Sequence, residues 1–408
     1  MPYRVVADEN IPLVAQAFGR FGPVTLLPGG AITNAVLREA DVLLVRSVTP
    51  VDEALLTGTP VRFVGTATIG TDHVDAGALA ARGVAFASAP GSNAESVVEW
   101  VIAALLALSA DRGGRLAGKT AGVVGVGNVG GRLAPRLEAL GLRVLRCDPP
   151  RARAEGAAGF GAQPASPFAP RSPSGFVPLE MLLAESDIVT LHTPLTASGP
   201  DATRGLVGAA ELAAMRPGAW LVNASRGAVV DGAALLGTLA RGHIGAALLD
   251  VFEGEPAPEP ALVTACALAT PHVAGYSFDG KAGGTRALLS AFARWSGLSA
   301  ASDADAAFGS MALALAPEDR RVLAAPDPHG APEAALDALV RVLYPIRDDD
   351  ARLRATIALP AAARAQSFAA LRKTYPRRRR WGLYALPEAS VPEPLRRAVR
   401  DGLGLRLV

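Results

Sequence analysis

The stretch TAGVVGVGNVGGRLAPRLEALGLRVLRCD, residues 120–148, decides the fold. Its apolar run from Thr120 to Val126 has the pattern of a buried strand, and the run from Arg132 to Leu140 has the spacing of an amphipathic helix. The turn between them has the pattern G-x-G-x-x-G, formed by Gly125, Gly127 and Gly130. The first glycine permits a tight turn, the second lets a pyrophosphate approach the backbone, and the third lets helix and strand pack closely. The stretch therefore predicts a dinucleotide site on a doubly wound parallel sheet.

An acidic residue follows at the end of the next predicted strand. Arg143 to Cys147 has a strand pattern and leads into Asp148, eighteen residues after the last glycine of the turn. A carboxylate there can accept hydrogen bonds from the adenosine ribose and repels a 2′-phosphate, which favours NAD over NADP. Arg151 and Arg153 lie close in sequence and keep NADP as the alternative. We expect NAD to be bound by Gly125, Gly127, Asn128, Val129, Gly130 and Asp148.

The residues before this stretch repeat the alternation of strands and helices. Five short β-rich runs occur at 4–7, 24–27, 42–45, 61–64 and 84–87. They predict a second parallel α/β layer, followed by a long apolar helix from Ala94 to Ser109. We expect two Rossmann-like doubly wound domains and a smaller C-terminal α+β domain. The predicted bounds are 1–98 completed by about 278–299 for the substrate-binding domain, 99–277 for the NAD-binding domain and 300–408 for the last.

Three further segments carry weaker signals. Ala152 to Gly175 is rich in Gly, Ala, Pro and Ser without periodicity, which predicts a mobile surface insertion. Val340 to Tyr344 is β-rich and predicts a strand. Four arginines, Arg377 to Arg380, could contact phosphate or nucleic acid, but a solvated or subunit-facing patch is favoured because the chain is near neutral.

Composition excludes several classes of protein. Of 408 residues, half are hydrophobic and 19% are charged, and the formal charge is only +2. This predicts packed globular domains without affinity for nucleic acid or membrane. Cys147 and Cys266 are too few for a disulfide framework and lack metal-ligand spacing. The first residues do not resemble a secretory signal, and the apolar run from Val101 to Ala110 is too short to span a bilayer. We therefore expect a cytoplasmic protein without a metal.

Three polar side chains follow predicted strands of the second sheet. Arg226 follows Trp220 to Asn223, Glu255 follows the strand that ends near Val251, and His272 comes just after Cys266 to Thr270. An arginine fork can hold a carboxylate, and imidazole can act as a general base near neutral pH. Glu255 beside the imidazole would orient it and raise its pKa. A surface arginine and a packed core histidine are the alternatives.

Four segments together resemble the D-isomer-specific 2-hydroxyacid dehydrogenase family: GVVGVGNVG, NASRGAVVD, LDVFEGEP and TPHVAG. The resemblance implies an NAD-dependent enzyme that oxidises a D-2-hydroxy acid. It also implies that Arg226, Glu255 and His272 are catalytic. Further positions that match the cofactor side of the family are Thr193, Asp250 and Gly275.

Four other segments are ADENIP, VRSVTPV, FVGTATIGTDHVD and HVAGYSFDGKAGGT. They resemble one branch of that family, and the resemblance implies oxidation of a phosphorylated four-carbon sugar acid for pyridoxal 5′-phosphate biosynthesis. The resemblance implies that the substrate is bound by Arg46, Ser47, Thr68 and Tyr276, with Lys281 as a neighbour. It also implies a homodimer formed through the C-terminal domain. From the residues alone, Ser47 and Thr68 could instead cap the helices that follow their strands.

Two alternatives to this function remain open at the level of sequence. Within the same family, a 3-phosphoglycerate dehydrogenase or a glyoxylate/hydroxypyruvate reductase would need the same arginine and histidine. In a different class, an NAD-sensing binding protein could use the same fold without performing chemistry.

Overall fold

The computed structural model of the chain describes residues 2–156, 175–298, 308, 313–314 and 332–408. The chain divides into two compact units. The first unit is Met1–Glu95 with Tyr276–Met311, and the second is Ser96–Gly275 with Ala312–Val408. Each unit contains its own parallel sheet.

Five strands form the sheet of the first unit: β1 (Val5–Asp8), β2 (Val24–Leu27), β3 (Val42–Val45), β4 (Phe63–Thr66) and β5 (Ala85–Ala87). They are parallel and lie in the order β2-β1-β3-β4-β5. All five predicted strands are present, with bounds shifted by at most two residues. The helices of this unit are α1 (Val14–Phe18), α2 (Glu53–Leu56), α3 (Ala76–Ala81) and α11 (Phe278–Ser296).

Aromatic packing fixes α11 against this sheet. The ring of Phe292 lies 5.5 Å from that of Phe63 in β4 and 5.6 Å from that of Phe18 in α1, measured between centroids. All three side chains are fully buried. A late segment of the chain therefore belongs to the core of the first unit.

Six strands form the main sheet of the second unit: β6 (Thr120–Val124), β7 (Arg143–Cys147), β8 (Ile188–Leu191), β9 (Trp220–Asn223), β10 (Ala246–Leu249) and β11 (Leu268–Ala269). Their order is β11-β10-β9-β8-β6-β7, and all pairs are parallel. The helices that alternate with them are α4 (Ala94–Asp111), α5 (Gly130–Ala139), α6 (Pro149–Gly156), α7 (Leu179–Glu185), α8 (Ala209–Ala214), α9 (Gly232–Ala240) and α10 (Pro260–Ala265). The central strands are buried along their whole length, as expected of a sheet with helices on both faces. The predicted pair of Rossmann-like sheets is confirmed.

The C-terminal residues of the second unit are mainly helical. Their helices are α12 (Pro332–Leu343), α13 (Ile346–Arg354), α14 (Ala361–Lys373) and α15 (Glu393–Arg397). A small parallel sheet in the order β12-β13-β14 consists of β12 (Leu313–Ala314), β13 (Tyr384–Leu386) and β14 (Arg406–Leu407).

One prediction for these residues is wrong, and another is corrected in part. Val340 to Leu343 lies in α12 and not in a strand, because its apolar side chains continue a helical spacing of three and four residues: Leu336, Leu339, Val340 and Leu343 are all buried. The arginine run is not a purely solvated patch, since Arg378 is buried while Arg377 is exposed. The buried guanidinium donates to the backbone carbonyls of Ser96 and Ala274 and lies against the Tyr344 ring.

The predicted insertion from Ala152 to Gly175 is corrected at its start. α6 continues to Gly156, so the first residues of that segment are helical. Residues 157–174 lie outside the described part of the chain, and so does most of the segment 299–331.

Candidate active site

The glycine turn after β6 forms an open cradle. Gly125 has φ +83°, and a Cβ there would lie only 2.7 Å from the carbonyl oxygen of His192. A Cβ at Gly130 would collide with the carbonyl oxygen of Gly125, whereas a Cβ at Gly127 would have no atom within 4 Å. Gly127 and Asn128 are exposed residues, and α5 begins three residues after Gly127. An anion can therefore approach this backbone and the amino end of the helix.

Asp148 stands beside the same turn. One of its carboxylate oxygens accepts a hydrogen bond from the amide of Val126 (2.8 Å), and the other accepts from the amide of Arg151 (3.1 Å). Arg151 and Arg153, which kept NADP as the alternative cofactor, both have acidic partners. Arg151 pairs with Glu155, and Arg153 pairs with Asp201. The arrangement favours a ribose with free hydroxyls over one with a 2′-phosphate.

The backbone of His192 and Thr193 lies against Gly125 of the turn. The Thr193 hydroxyl oxygen is buried and has no hydrogen-bond partner among the residues that the structure describes. Its neighbour His192 is neutral, because burial lowers its pKa to about 3, and its Nε2 lies 2.9 Å from the Thr190 hydroxyl. Buried polar groups are rarely left without a partner, so the Thr193 hydroxyl suits a bound ligand. Together with the glycine cradle and Asp148, it fits a dinucleotide.

The turn after β9 holds Arg226 in place. The Asn223 side chain accepts hydrogen bonds from the amide (3.0 Å) and hydroxyl (2.8 Å) of Ser225, and it donates to the carbonyl of Arg226 (2.9 Å). The Arg226 guanidinium in turn donates to the Ser225 carbonyl (2.9 Å). The predicted arginine is thus part of an ordered turn at the carboxyl end of a central strand.

His272 and Glu255 form the pair that the sequence predicts. His272 Nδ1 lies 2.7 Å from Glu255 Oε2, and Glu255 Oε1 accepts a hydrogen bond from the Phe252 amide (2.9 Å). Burial raises the pKa of Glu255, but the hydrogen bond and charge of His272 outweigh it, so the net pKa is lowered. The carboxylate is therefore ionised at neutral pH, and Nδ1 must carry the proton of this bond. The tautomer with the proton on Nδ1 has its lone pair on Nε2, and the side chain is 31% exposed.

Asp250 holds the backbone that carries His272. Its carboxylate accepts hydrogen bonds from the amides of Val273 (2.7 Å) and Ala274 (2.8 Å) and from the Thr270 hydroxyl (2.5 Å). Its carbonyl accepts from the His272 amide (2.8 Å). Burial raises the Asp250 pKa to about 6, against the opposing effects of His272 and these donors. These contacts stabilise His272 at φ +58°, a conformation that non-glycine residues seldom adopt.

The predicted substrate residues of the first unit lie after β3 and β4 and before α11. The Tyr276 ring is flanked by two cations, with the Arg46 guanidinium carbon 5.9 Å and Lys281 Nζ 4.1 Å from its centroid. Ser47 is exposed and Thr68 is half-buried. The capping alternative for these two residues is wrong, because the side chains that cap α2 and α3 are Asp52 and Asp75.

A chain of hydrogen bonds that sequence reasoning missed sets the direction of the Thr68 hydroxyl. Thr68 donates to the Gly70 carbonyl (2.9 Å), while Thr66 Oγ1 lies 2.7 Å from Thr68 Oγ1 and 3.0 Å from His73 Nε2. A hydroxyl has one proton, so Thr66 must donate to Thr68, and His73 must donate to Thr66. Burial lowers the pKa of His73 against the nearby charge of Asp72. Thr68 therefore presents a lone pair, not a proton, to any further partner.

Neither a membrane span nor a metal cluster occurs in the described ranges. No helix there is long and apolar enough to cross a membrane. The same residues contain no group of three or more His, Cys, Asp or Glu side chains that could hold a metal ion.

Known proteins resemble this chain over most of its length. The family model "D-isomer specific 2-hydroxyacid dehydrogenase, NAD binding domain" matches residues 98–274, and a domain of unknown function, DUF3410, matches 327–394. The erythronate-4-phosphate dehydrogenase of Salinibacter ruber is 50% identical, with 99% of each chain covered. That of Pseudomonas aeruginosa is 47% identical, covering 99% of this chain and 100% of the relative.

Solved structures agree on the fold. The TT0316 protein of Thermus thermophilus is 28% identical with a TM-score of 0.58, covering 72% of this chain and 97% of the other. D-Lactate dehydrogenase of Aquifex aeolicus, solved with NAD and lactic acid, is 22% identical with a TM-score of 0.58, covering 72% and 96%. The cofactor of the present chain is NAD, and it is an oxidoreductase acting on a CH–OH group. The chain belongs to the D-isomer specific 2-hydroxyacid dehydrogenases and, within them, to the erythronate-4-phosphate dehydrogenase family.

Proposed function

We propose that this enzyme oxidises 4-phospho-D-erythronate at C2 to (R)-3-hydroxy-2-oxo-4-phosphooxybutanoate, with NAD as acceptor, in pyridoxal 5′-phosphate biosynthesis. The observation that carries the reaction type is the 2.7 Å contact between His272 and Glu255. The substrate is supported by the names of relatives that are 47–50% identical over 99% of the chain.

The chain's own residues have separate roles in this reaction. His272 Nε2 takes the proton of the C2 hydroxyl, and the Glu255 carboxylate stabilises the imidazolium that results. Arg226 binds the substrate carboxylate through its planar fork. The glycine turn, Asp148 and Thr193 would hold the cofactor, which would supply the hydride acceptor. We further propose Asp250 and Gly275 as contacts on the cofactor side.

Residues of the first unit are proposed to bind the rest of the substrate: Arg46, Ser47, Thr68 and Tyr276. The two cations beside Tyr276, Arg46 and Lys281, suit a phosphate. Thr68 can only accept, whereas ionised phosphate and carboxylate oxygens have no proton to donate. Since the C2 hydroxyl gives its proton to the base, the C3 hydroxyl of the substrate is the proposed donor to Thr68.

We also propose the domain bounds, the oligomeric state and the cellular location of the enzyme. Residues 1–98, completed by about 278–299, form the substrate-binding domain, and 99–277 form the NAD-binding domain. Residues 300–408 form a C-terminal domain through which the enzyme is a homodimer. A cytoplasmic location agrees with the free, buried thiols of Cys147 and Cys266.

The substrate is tested by following NADH absorbance with 4-phospho-D-erythronate, 3-phospho-D-glycerate and D-glycerate in parallel, with a 2-oxo acid supplied as an alternative acceptor. Selective turnover of the erythronate is expected, because 3-phospho-D-glycerate has no free C3 hydroxyl for Thr68 and D-glycerate has no phosphate for Arg46 and Lys281. Preference for either other acid would keep the chemistry and overturn the substrate, in favour of a phosphoglycerate dehydrogenase or a glyoxylate/hydroxypyruvate reductase.

The variant His272→Asn separates an enzyme from an NAD-sensing protein. Loss of the general base is expected to lower kcat by roughly 10²- to 10⁴-fold. The NAD dissociation constant should stay near that of the parent, as measured by calorimetry. Cells that lack the parental gene should regain growth without vitamin B6 from the parent but not from this variant. Rescue by a catalytically inactive variant would instead support the sensing role.

A further inference from the structure

Arg378 is a buried cation far from the catalytic residues in sequence. Its exposed fraction is 6%, and one guanidinium nitrogen, Nη2, donates to the carbonyls of Ser96 (3.0 Å) and Ala274 (2.5 Å). Its guanidinium carbon lies 4.2 Å from the centroid of the Tyr344 ring. Arg378 thus joins the C-terminal residues to the start of the second unit and to the loop that follows His272.

Burying this guanidinium is costly. Its Nε and Nη1 have no hydrogen-bond partner within the described part of the chain. Two buried carboxylates, Glu99 and Asp349, interact with its charge, and burial raises the pKa of both, that of Glu99 to about 7, against the opposing effect of Arg378. Moving a charge out of water costs several kcal/mol, and well-packed apolar residues often replace such a group without loss of stability. A gain in stability alone therefore does not account for Arg378.

One carbonyl that Arg378 binds belongs to the loop after His272, which Asp250 also holds. Asp250 binds the amides of Val273 and Ala274, while Arg378 binds the carbonyl of Ala274. The segment after His272 is therefore held from its amide side and from its carbonyl side. His272 itself has φ +58°, and a residue in that region returns to another conformation unless its surroundings hold it.

We propose that Arg378 is a positioning residue for His272, through which the C-terminal segment completes the catalytic site of the second unit. The family model for the NAD-binding domain ends at residue 274, and Arg378 lies within the matched domain of unknown function. The inference gives that domain a part in catalysis besides its proposed part in dimerisation. It rests on His272 acting as the base in the proposed function.

The test compares Arg378→Met with Arg377→Met, a change at the exposed neighbouring arginine. Arg378→Met is expected to lower kcat by roughly 10- to 100-fold, as a displacement of about 1 Å at a catalytic group does. KM and the NAD dissociation constant should change little, because neither ligand contacts this guanidinium in the proposal. Arg377→Met should resemble the parent. A folded Arg378→Met variant with the parental kcat would overturn the proposal, and so would equal losses of kcat and NAD affinity.

Two further variants keep the test decisive if Arg378→Met does not fold. Arg378→Lys retains the charge but not the fork, and its kcat should fall between those of the parent and Arg378→Met. Arg378→Ala should regain kcat when guanidinium is added at a concentration that leaves the parent unaffected. Absence of both effects would contradict a positioning role. The kcat ratios are measured with whichever 2-hydroxy acid the parent oxidises, so a failure of the proposed substrate is seen separately, in the parent.

Discussion

The two large sheets share a strand order but differ at the turn after their first strand. In the first unit, β1 lies between β2 and β3, and in the second, β6 lies between β7 and β8. β1 ends at Asp8, whose side chain is fully buried and accepts hydrogen bonds from the amide (2.8 Å) and side chain (3.0 Å) of Asn10. β6 instead enters the open glycine turn. One turn is filled by a carboxylate, and the other is left open for a ligand.

The helices after these two turns, α5 and α1, also differ in how well they can bind an anion. α5 has ten residues and begins at Gly130, so its free amides and dipole can stabilise a phosphate. α1 has five residues and is preceded by Leu13 at φ +60°, with the Asp8 carboxylate at the end of the strand before it. Strand order thus places a turn at this edge of both sheets, whereas the side chains decide whether the turn accepts an anion.

Filling the open turn is expected to have the largest effect. In Gly127→Ala, the added methyl meets no protein atom within 4 Å, so the fold should be kept. The methyl occupies the space through which the pyrophosphate approaches, and each charge-assisted hydrogen bond lost should weaken NAD binding by roughly 10- to 100-fold. Calorimetric titration with NAD measures the affinity, and thermal unfolding checks that Tm is unchanged.

The matched control places the same methyl in the other unit. Gly19→Ala, at the end of α1, also meets no atom within 4 Å. It should leave NAD affinity unchanged. If both variants bound NAD as tightly as the parent, the contrast between the two turns would have no functional meaning.

Changing the acid beside the open turn is expected to have a smaller effect. Asp148→Asn keeps one acceptor oxygen for the turn but removes the charge that favours ribose hydroxyls and repels a 2′-phosphate. The NAD dissociation constant should rise roughly 10-fold, and the preference for NAD over NADP should fall. Kinetics with both cofactors measure the change. Asp75→Asn, at the carboxylate that caps α3 in the first unit, is the control, and an equal loss of preference there would refute the role of Asp148.

The sequence predicted those features of the fold and the site that depend mainly on residues close together in the chain. The strands follow from short apolar runs, and the glycine turn follows from a fixed spacing with a strand before it and a helix after it. The pairing of His272 with Glu255 was also predicted, because both follow strands that end at one edge of a parallel sheet. These features need few contacts from distant residues.

The parts that sequence reasoning missed depend on distant contacts. A run of arginines by itself predicts exposed side chains. Arg378 is buried instead, and it donates to the carbonyls of Ala274 and Ser96, which lie 104 and 282 residues away in the chain. Val340 to Tyr344 has strand composition, but packing of α12 decides its conformation. The chain from His73 through Thr66 to Thr68 needs three rotamers at once, which no residue pattern specifies.

The buried carboxylates of the two units differ in the hydrogen bonds that they accept. Each leaves one oxygen without a partner in the described residues, Asp8 Oδ2 and Glu99 Oε2. Asp8 Oδ1 accepts two hydrogen bonds, whereas Oε1 of Glu99, which is 1% exposed, accepts one from the Trp381 amide (2.7 Å). The Glu99 pKa is raised from its ordinary value of 4.5 to about 7, mainly by burial. Between these values the folded protein holds a proton that the unfolded chain has lost, so its free energy of unfolding falls as pH rises.

Glu99→Gln should remove that fall, because the amide stays neutral and can still accept from Trp381. The difference in Tm, variant minus parent, should increase by a few degrees from about pH 4.5 to pH 7 and stay constant above pH 7. Calorimetric scans across this range measure the difference. Glu138→Gln, at a carboxylate that is 42% exposed, should leave the slope of the parent unchanged. Parallel curves for the parent and Glu99→Gln would mean that Arg378 keeps the Glu99 carboxylate ionised through the whole range, and the guanidinium would then be paired after all.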